Sequence, residues 1–286
     1  MLVNGDRRLS LLQRVRYVAN AFRELWQHLT SRGWQGSAPV IIDDDLAALR
    51  TSLATGPSPL RLYTEYVSAH FARLTFPDRP TILDVGCGSG GAIESFDGFI
   101  EMGQYVGVDI ASRPQWHAGD TAEEPDRSFV AIDARQLDSL RTTFDVVYSS
   151  NTLEHLPRLG SVLKSLNEKT SGRGLGFHIV PGVWSIFAYG FHGYRRASPR
   201  FWEAAFRRAG ADDVKIYALG GFASFLLHTL AIALPATLRL PDTRKRFPNW
   251  YAILLQRAIA CDAILTVFPL GYLFVVRPSS TKHGPV

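Results

Sequence analysis

The chain of 286 residues is 46% hydrophobic and 20% charged, with a formal net charge of +5. Those proportions describe an ordinary globular protein, large enough for one core or for a core with a sizeable insertion. Its two cysteines, Cys87 and Cys261, exclude a disulfide framework and fit a reducing cytoplasm.

Charge is unevenly placed. Arg7, Arg8, Arg14, Arg16, Arg23 and Arg32 crowd the N-terminal region, and Arg239, Arg244, Lys245 and Arg246 form a second knot. Such clusters suit phosphate, lipid headgroups or plain solvent. They lack regular aromatic interleaving, so no nucleic-acid partner is expected. The charges scattered through DRRLSLLQRVRYVANAF break any continuous apolar region and argue against a secretory signal.

In chain order, residues 1–77 are expected to form an N-terminal helical cap. Leu9, Leu12, Val15, Tyr17, Phe22 and Leu25 sit among arginines, Gly33, Gly36 and Pro39 punctuate, and a second helical piece runs from Leu60 to Leu74. The core, residues 78–219, opens with TILDVGCGSGG, Thr81 to Gly91. A short apolar run ends there in glycines and leads into the helix-compatible AIESFDGFIEM, the grammar of strand, tight turn and helix. Gly86, Gly88 and Gly91 fit the spacing G-x-G-x-x-G, which by itself is a weak signal of a dinucleotide site.

Further strands are expected at YVGVD (105–109), SFVAID (128–133), FDVVYSS (144–150), GLGFHIVP (174–181) and DVKIYAL (213–219). Each is short and rich in β-branched or aromatic residues, and helical or polar stretches separate them, so the pattern predicts a doubly wound α/β fold with a parallel sheet buried on both faces. A helix capped by Ser198, with Pro199 in its first turn, precedes the sixth strand and stops at Gly210. Residues 220–270 then read as a hydrophobic helical insertion, and GYLFVVRP (271–278) as the last strand, followed by a tail to residue 286.

In such sheets ligands bind beyond the carboxyl ends of the strands. Those ends carry Asp84, Asp109 and Asp133. A pyrophosphate on the glycine turn would meet the Asp84 carboxylate, which argues against a dinucleotide. S-adenosylmethionine brings an ammonium and a sulfonium instead, so nearby carboxylates favour it. Asp109 is placed to accept ribose hydroxyl hydrogens, and Asp133 to accept from the adenine amino group, a role compatible with N-capping the stretch ARQLDSLR.

LDVGCGSG, VGVDIA, IDA and FDVVYSSNTLEHL together resemble the class I S-adenosylmethionine-dependent methyltransferases, with clear similarity over residues 80–180. The resemblance implies a Rossmann-like seven-stranded sheet whose last strand is antiparallel. It also implies that Asp84, Gly86, Cys87 and Gly88 contact the methionine part, Asp109 and Ile110 the ribose, and Asp133 and Ala134 the adenine, with Asn151 near the sulfonium. The form NTLEHL is close to the group acting on small molecules and lipids. His155 is the candidate general base, with packing or capping as its alternative.

His192, Tyr194 and Arg195, in HGYRRAS, are candidates for holding the acceptor, Arg195 or Arg196 through a carboxylate or phosphate. Surface placement of the arginine pair is the other reading. No cysteine or histidine spacing makes a metal site, and none is expected.

Ala218 to Leu238 has no formally charged side chain and reaches the length of a bilayer span. Arg257 and Asp262 in the return segment make a pair of crossings expensive. An interfacial helix pair, with residues 239–246 at headgroup level, competes with a soluble cap or a homodimer surface. An NAD-dependent oxidoreductase and a non-catalytic cofactor-binding scaffold remain as other readings of the whole chain.

Overall fold

The computed structural model describes residues 10–30, 37–39, 56–76, 78–97, 100–117, 126–156, 158–189 and 195–279. The chain begins with helix α1 (Leu11–Thr30), strand β1 (Ser37–Pro39) and helix α2 (Pro59–Thr75). The core continues through β2 (Thr81–Val85), α3 (Ala92–Asp97), β3 (Gln104–Asp109), β4 (Arg127–Ala131), β5 (Phe144–Ser150), α4 (Leu159–Lys169) and β6 (Thr170–Pro181). After it come α5 (Ile186–Tyr189), α6 (Pro199–Arg208), β7 (Ala211–Leu219), α7 (Phe222–His228), α8 (Leu234–Thr237), α9 (Thr243–Arg246), α10 (Pro248–Asp262) and β8 (Gly271–Pro278).

The strands form one sheet in the order β1-β7-β8-β6-β5-β2-β3-β4. Pairing of β2 with β3 and β5, of β3 with β4 and of β5 with β6 is parallel. β8 runs the other way: Gly182 N–H, just after β6, donates to Leu270 O at the entry to β8, and Ser279 N–H, beyond its exit, donates to Gly210 O at the entry to β7. Seven strands therefore run in the order 3-2-1-4-5-7-6, with the expected antiparallel last strand.

The eighth is an edge strand that the sequence pattern does not announce. Ser37 to Pro39 pairs in parallel with Ile216 to Ala218. Three residues carry no periodicity, and proline, lacking an N–H, suits a sheet edge. The expected third strand ends earlier than its sequence suggests, at Ala131, which leaves Asp133 beyond the ladder.

Two compact units are present. One comprises residues 68–180, 200–215 and 274–286. β2, β3, β5 and β6 are buried along most of their length, as expected for strands covered on both faces, whereas the edge strand β4 is partly exposed. His178 of β6 lies inside this core, stacked on Phe206 with 5.1 Å between ring centroids, and Ser149 Oγ is 2.9 Å from its Nδ1. Burial lowers His178 to about 3, so the ring is neutral and acts as a packed, hydrogen-bonded core group.

The other unit comprises residues 1–67, 181–199 and 216–273. In α1, Tyr17, Ala21 and Glu24 are buried at helical spacing, whereas Leu12, Val15 and Trp26 are exposed. The Glu24 carboxylate accepts from the backbone N–H and hydroxyl of Ser198, so this serine side chain is engaged across the sequence as well as standing before α6.

Asp262 organises the insertion. One carboxylate oxygen accepts the Ala223 and Ser224 amides at the start of α7, and the other accepts from the Tyr63 hydroxyl at 3.1 Å. A carboxylate at a helix N-terminus satisfies amides that have no intrahelical partner. Asp262→Ala leaves those donors buried and unpaired. It should lower unfolding stability by about 3 kcal/mol in a urea titration.

Candidate active site

The site is built on the turn after β2. Gly86 and Cys87 both direct their amides to Val108 O, at 2.7 and 3.1 Å, and Gly90 N–H closes onto Cys87 O. Gly86 has φ +79, and a Cβ there would lie 2.1 Å from Thr152 Oγ1. No other residue fits between the turn and the segment that follows β5. Gly88 differs: its φ is +56 and a Cβ would meet nothing within 4 Å. It therefore presents bare backbone to open space, where a ligand can approach.

Asp109 stands beside that opening. Its Oδ2 accepts the Gly88 amide at 3.0 Å, and Ile132 N–H donates to its backbone carbonyl. The ends of β2, β3 and β4 are thus tied to one another. Oδ1 of Asp109 takes the Ala111 amide at 3.5 Å, and the lone-pair sites these contacts leave suit a ligand bearing adjacent hydroxyl donors. Ile110, next in sequence, is exposed.

Asp84 is almost fully buried and accepts from the Tyr105 hydroxyl at 2.6 Å. Burial, partly offset by that hydrogen bond and reinforced by the nearby Asp109 charge, raises its pKa to about 7. Cys87 is buried, and burial together with Asp84 and Asp109 pushes its thiol up. A thiol held in that state is a packing group.

Asp133 is engaged by its neighbour. It caps the 3-10 turn Ala134–Ser139 through the Arg135 amide, and its two oxygens take the Arg135 guanidinium at 2.9 and 2.7 Å. The Arg135 hydrogen bonds hold this carboxyl below the usual range. Its side chain thus makes the expected cap, compatible with the ligand role, with Ala134 as the first residue of the turn. Asn151 takes a left-handed conformation, φ +49. Its amide donates to Ile179 O and its side-chain amide to Ser150 Oγ.

His155 closes a 3-10 turn, Leu153–His155, and its Nε2 lies 3.6 Å from Oε1 of the buried Glu154. Adjacent residues on a helix diverge by about 100°, yet in this short turn the two side chains meet. Among the described residues no group of three or more His, Cys, Asp or Glu could hold a metal ion.

Of the expected acceptor residues, His192 and Tyr194 lie outside the described residues. Arg195 is half-buried, and burial lowers its pKa. It belongs to the unit that contains the insertion.

Three contributors were not singled out by the sequence. Trp116 donates from Nε1 to Gly88 O at 2.8 Å and stacks on Phe129. Tyr105 holds Asp84, and Thr152 fills the space against Gly86. Only Tyr105 left a trace, because its register opposite Ile82 puts it two residues from Asp84's partner on the neighbouring strand.

A glycine turn at the carboxyl ends of a doubly wound sheet, with carboxylates beside it and bare backbone at Gly88, defines an adenosyl-binding α/β domain. Residues 83–175 match the family model described as "Methyltransferase domain". An Aspergillus luteorubrus protein named "Probable methyltransferase ltbC" is 29% identical over 176 residues, 50% of this chain and 62% of that protein. The match thus spans less than two thirds of the relative's length.

Among solved structures, the plantazolicin methyltransferase BpumL in complex with S-adenosylhomocysteine (SAH) superposes with a TM-score of 0.51 at 16% identity, covering 94% of this chain and 100% of that one. A chain from the complex of the Haloferax volcanii Trm112 methyltransferase activator gives 0.50 at 18% identity, covering 83% and 98%. At those identities the likeness concerns the fold. Residues 83–175 thus match a methyltransferase domain, on the fold those structures share, and this weighs against the dinucleotide reading.

The residues present fit S-adenosylmethionine: open backbone at Gly88, spare acceptor capacity at Asp109, and a buried carboxyl at Asp84 that a neighbouring cation would ionise. Asp109→Ala should weaken SAH binding by about 1–3 kcal/mol in calorimetry, through loss of charge-assisted hydrogen bonds. Asp84 gives a pH signature without ligand. Its folded pKa, about 7, lies above the ordinary 3.8, so its contribution favours folding while it is protonated and is lost as pH rises through that window. Asp84→Asn, which keeps an acceptor for Tyr105, should therefore raise Tm relative to wild type more at pH 8 than at pH 5.

Proposed function

We propose that this chain transfers the methyl group of S-adenosylmethionine to a small-molecule or lipid-like acceptor. The observation that carries the transfer reading is the open backbone of Gly88 held beside the Asp109 carboxylate. The bound cofactor supplies an electrophilic methyl and its own leaving group, so the chain's task is alignment and, for a protonated acceptor, removal of a proton.

His155 is the proposed base for that proton. Its Nε2 faces a buried carboxylate at 3.6 Å, which orients the ring and accompanies the positive charge a transferred proton brings. An acceptor with a hydrophobic body is supported by the aromatic content of residues 184–268. There Trp184, Phe222 and Phe225 gather around Phe268, with the Trp184 and Phe268 centroids 4.4 Å apart. A cytoplasmic setting is supported by two free cysteines, one of them exposed.

The test is transfer of label from methyl-labelled S-adenosylmethionine into fractionated metabolite and lipid extracts. Label should enter one of these fractions, and His155→Ala should lower the rate by about 10²–10⁴ while SAH affinity stays unchanged. Tight SAH binding with no labelled product in any fraction would instead support a cofactor-binding scaffold. A wild-type rate in the variant would remove His155 from proton transfer.

A further inference from the structure

We propose that residues 222–267 form a docking face for an anionic lipid surface, on which the chain lies without crossing. The face belongs to one compact unit. α7, a π turn (Thr229–Ala233) and α8 follow one another without a break. Ser224, His228, Ala231 and Pro235 are buried along one side of this rod. Along the other, Leu226, Leu230, Leu234 and Leu238 are 42–57% exposed.

The spacing of that row has a physical consequence. Residues four apart on a helix of 3.6 residues per turn drift by about 40° at each step, so a row of four leucines would wind away from a flat surface. The π turn sits in the middle of the row. Its wider i→i+5 closure offsets part of that drift, at the step from Leu230 to Leu234.

α10 repeats the arrangement. Tyr251, Leu255, Ala258 and Ile259 face inward, while Trp250, Ile253 and Leu254 are exposed, Trp250 to 70%. The segment after it exposes Ile264 to 84%. Asp262 binds the two helices to each other through the α7 amides, so both outward faces belong to one packed element.

Charge decides what covers them. Residues 222–267 contain Arg239, Arg244, Lys245, Arg246 and Arg257 against Asp242 and Asp262. Both acids are engaged internally: Asp242 caps and pairs with Arg244, and Asp262 is buried. Arg239, Lys245, Arg246 and Arg257 are exposed. A second copy of the chain would bring these cations against their own kind, whereas anionic headgroups complement them and the leucines and Trp250 enter the acyl boundary. No helix among the described residues is long and apolar enough to cross a membrane, which fits a face that lies in the interface.

Flotation of the full chain with vesicles tests this, and the readout does not use methyl transfer, so its failure leaves the activity reading standing. Binding to mixed phosphatidylcholine and phosphatidylserine vesicles should exceed binding to phosphatidylcholine alone by about tenfold and weaken with salt. The pair Leu230→Glu and Leu234→Glu should lower it about tenfold or more, and so, separately, should the set Arg239→Ala, Lys245→Ala and Arg246→Ala. Unchanged SAH affinity shows that each variant is folded. Failure of wild type to float on anionic vesicles overturns the proposal. A dimer in light scattering that Leu230→Glu dissolves would do the same, assigning the face to a second copy.

Discussion

The shape of the glycine turn depends on where its amides go. Three consecutive N–H groups, of Gly86, Cys87 and Gly88, point at the end of β3: two at the carbonyl of Val108 and one at the carboxylate of Asp109. A backbone so directed cannot relax toward an ordinary reverse turn without leaving buried donors unpaired. The conformation holds Gly88 open, sets Asp109 beside it and places Gly86 against Thr152. Trp116 completes the restraint from the other side by taking the Gly88 carbonyl. The opening at Gly88 is defined by main chain as much as by side chains.

Two buried carboxylates, one in each compact unit, show how neighbours decide what an aspartate does. Asp84 and Asp262 both accept from a tyrosine hydroxyl and are both raised by burial. Asp262 also collects the amides at a helix start, and these fix it as a structural joint. Asp84 has one described hydrogen-bond donor and a second carboxylate nearby. Its environment is short of positive charge, which is the condition that welcomes a cationic ligand.

The sequence was legible where structure is local. Strand, glycine turn and helix are a contiguous grammar, so Thr81 to Gly91 and the aspartate ending β3 could be read directly. The parallel sheet followed from the strand and helix pattern and is borne out by the ladders of β2 to β6; the reversed last strand followed from resemblance, and the hydrogen bonds at Leu270 and Ser279 bear it out. The capping role of Asp133 is local and was legible, whereas its pairing with Arg135, two residues on, through both oxygens was not. Trp116 was illegible for the opposite reason: its contact with Gly88 spans 28 residues and no spacing rule encodes it. The edge strand at Ser37 is too short to show a period, and the π turn leaves no signal in an apolar stretch whose charge pattern is blank.

The near-neutral Asp84 has a thermodynamic corollary. A group poised at about 7 is divided between protonated and ionised forms near neutral pH, and a cation settling against it favours release of the proton. Ligand arrival and proton departure then become one coupled event. The apparent binding enthalpy would carry the ionisation heat of whichever buffer receives the proton, and the cofactor's grip would follow the local acidity of its compartment.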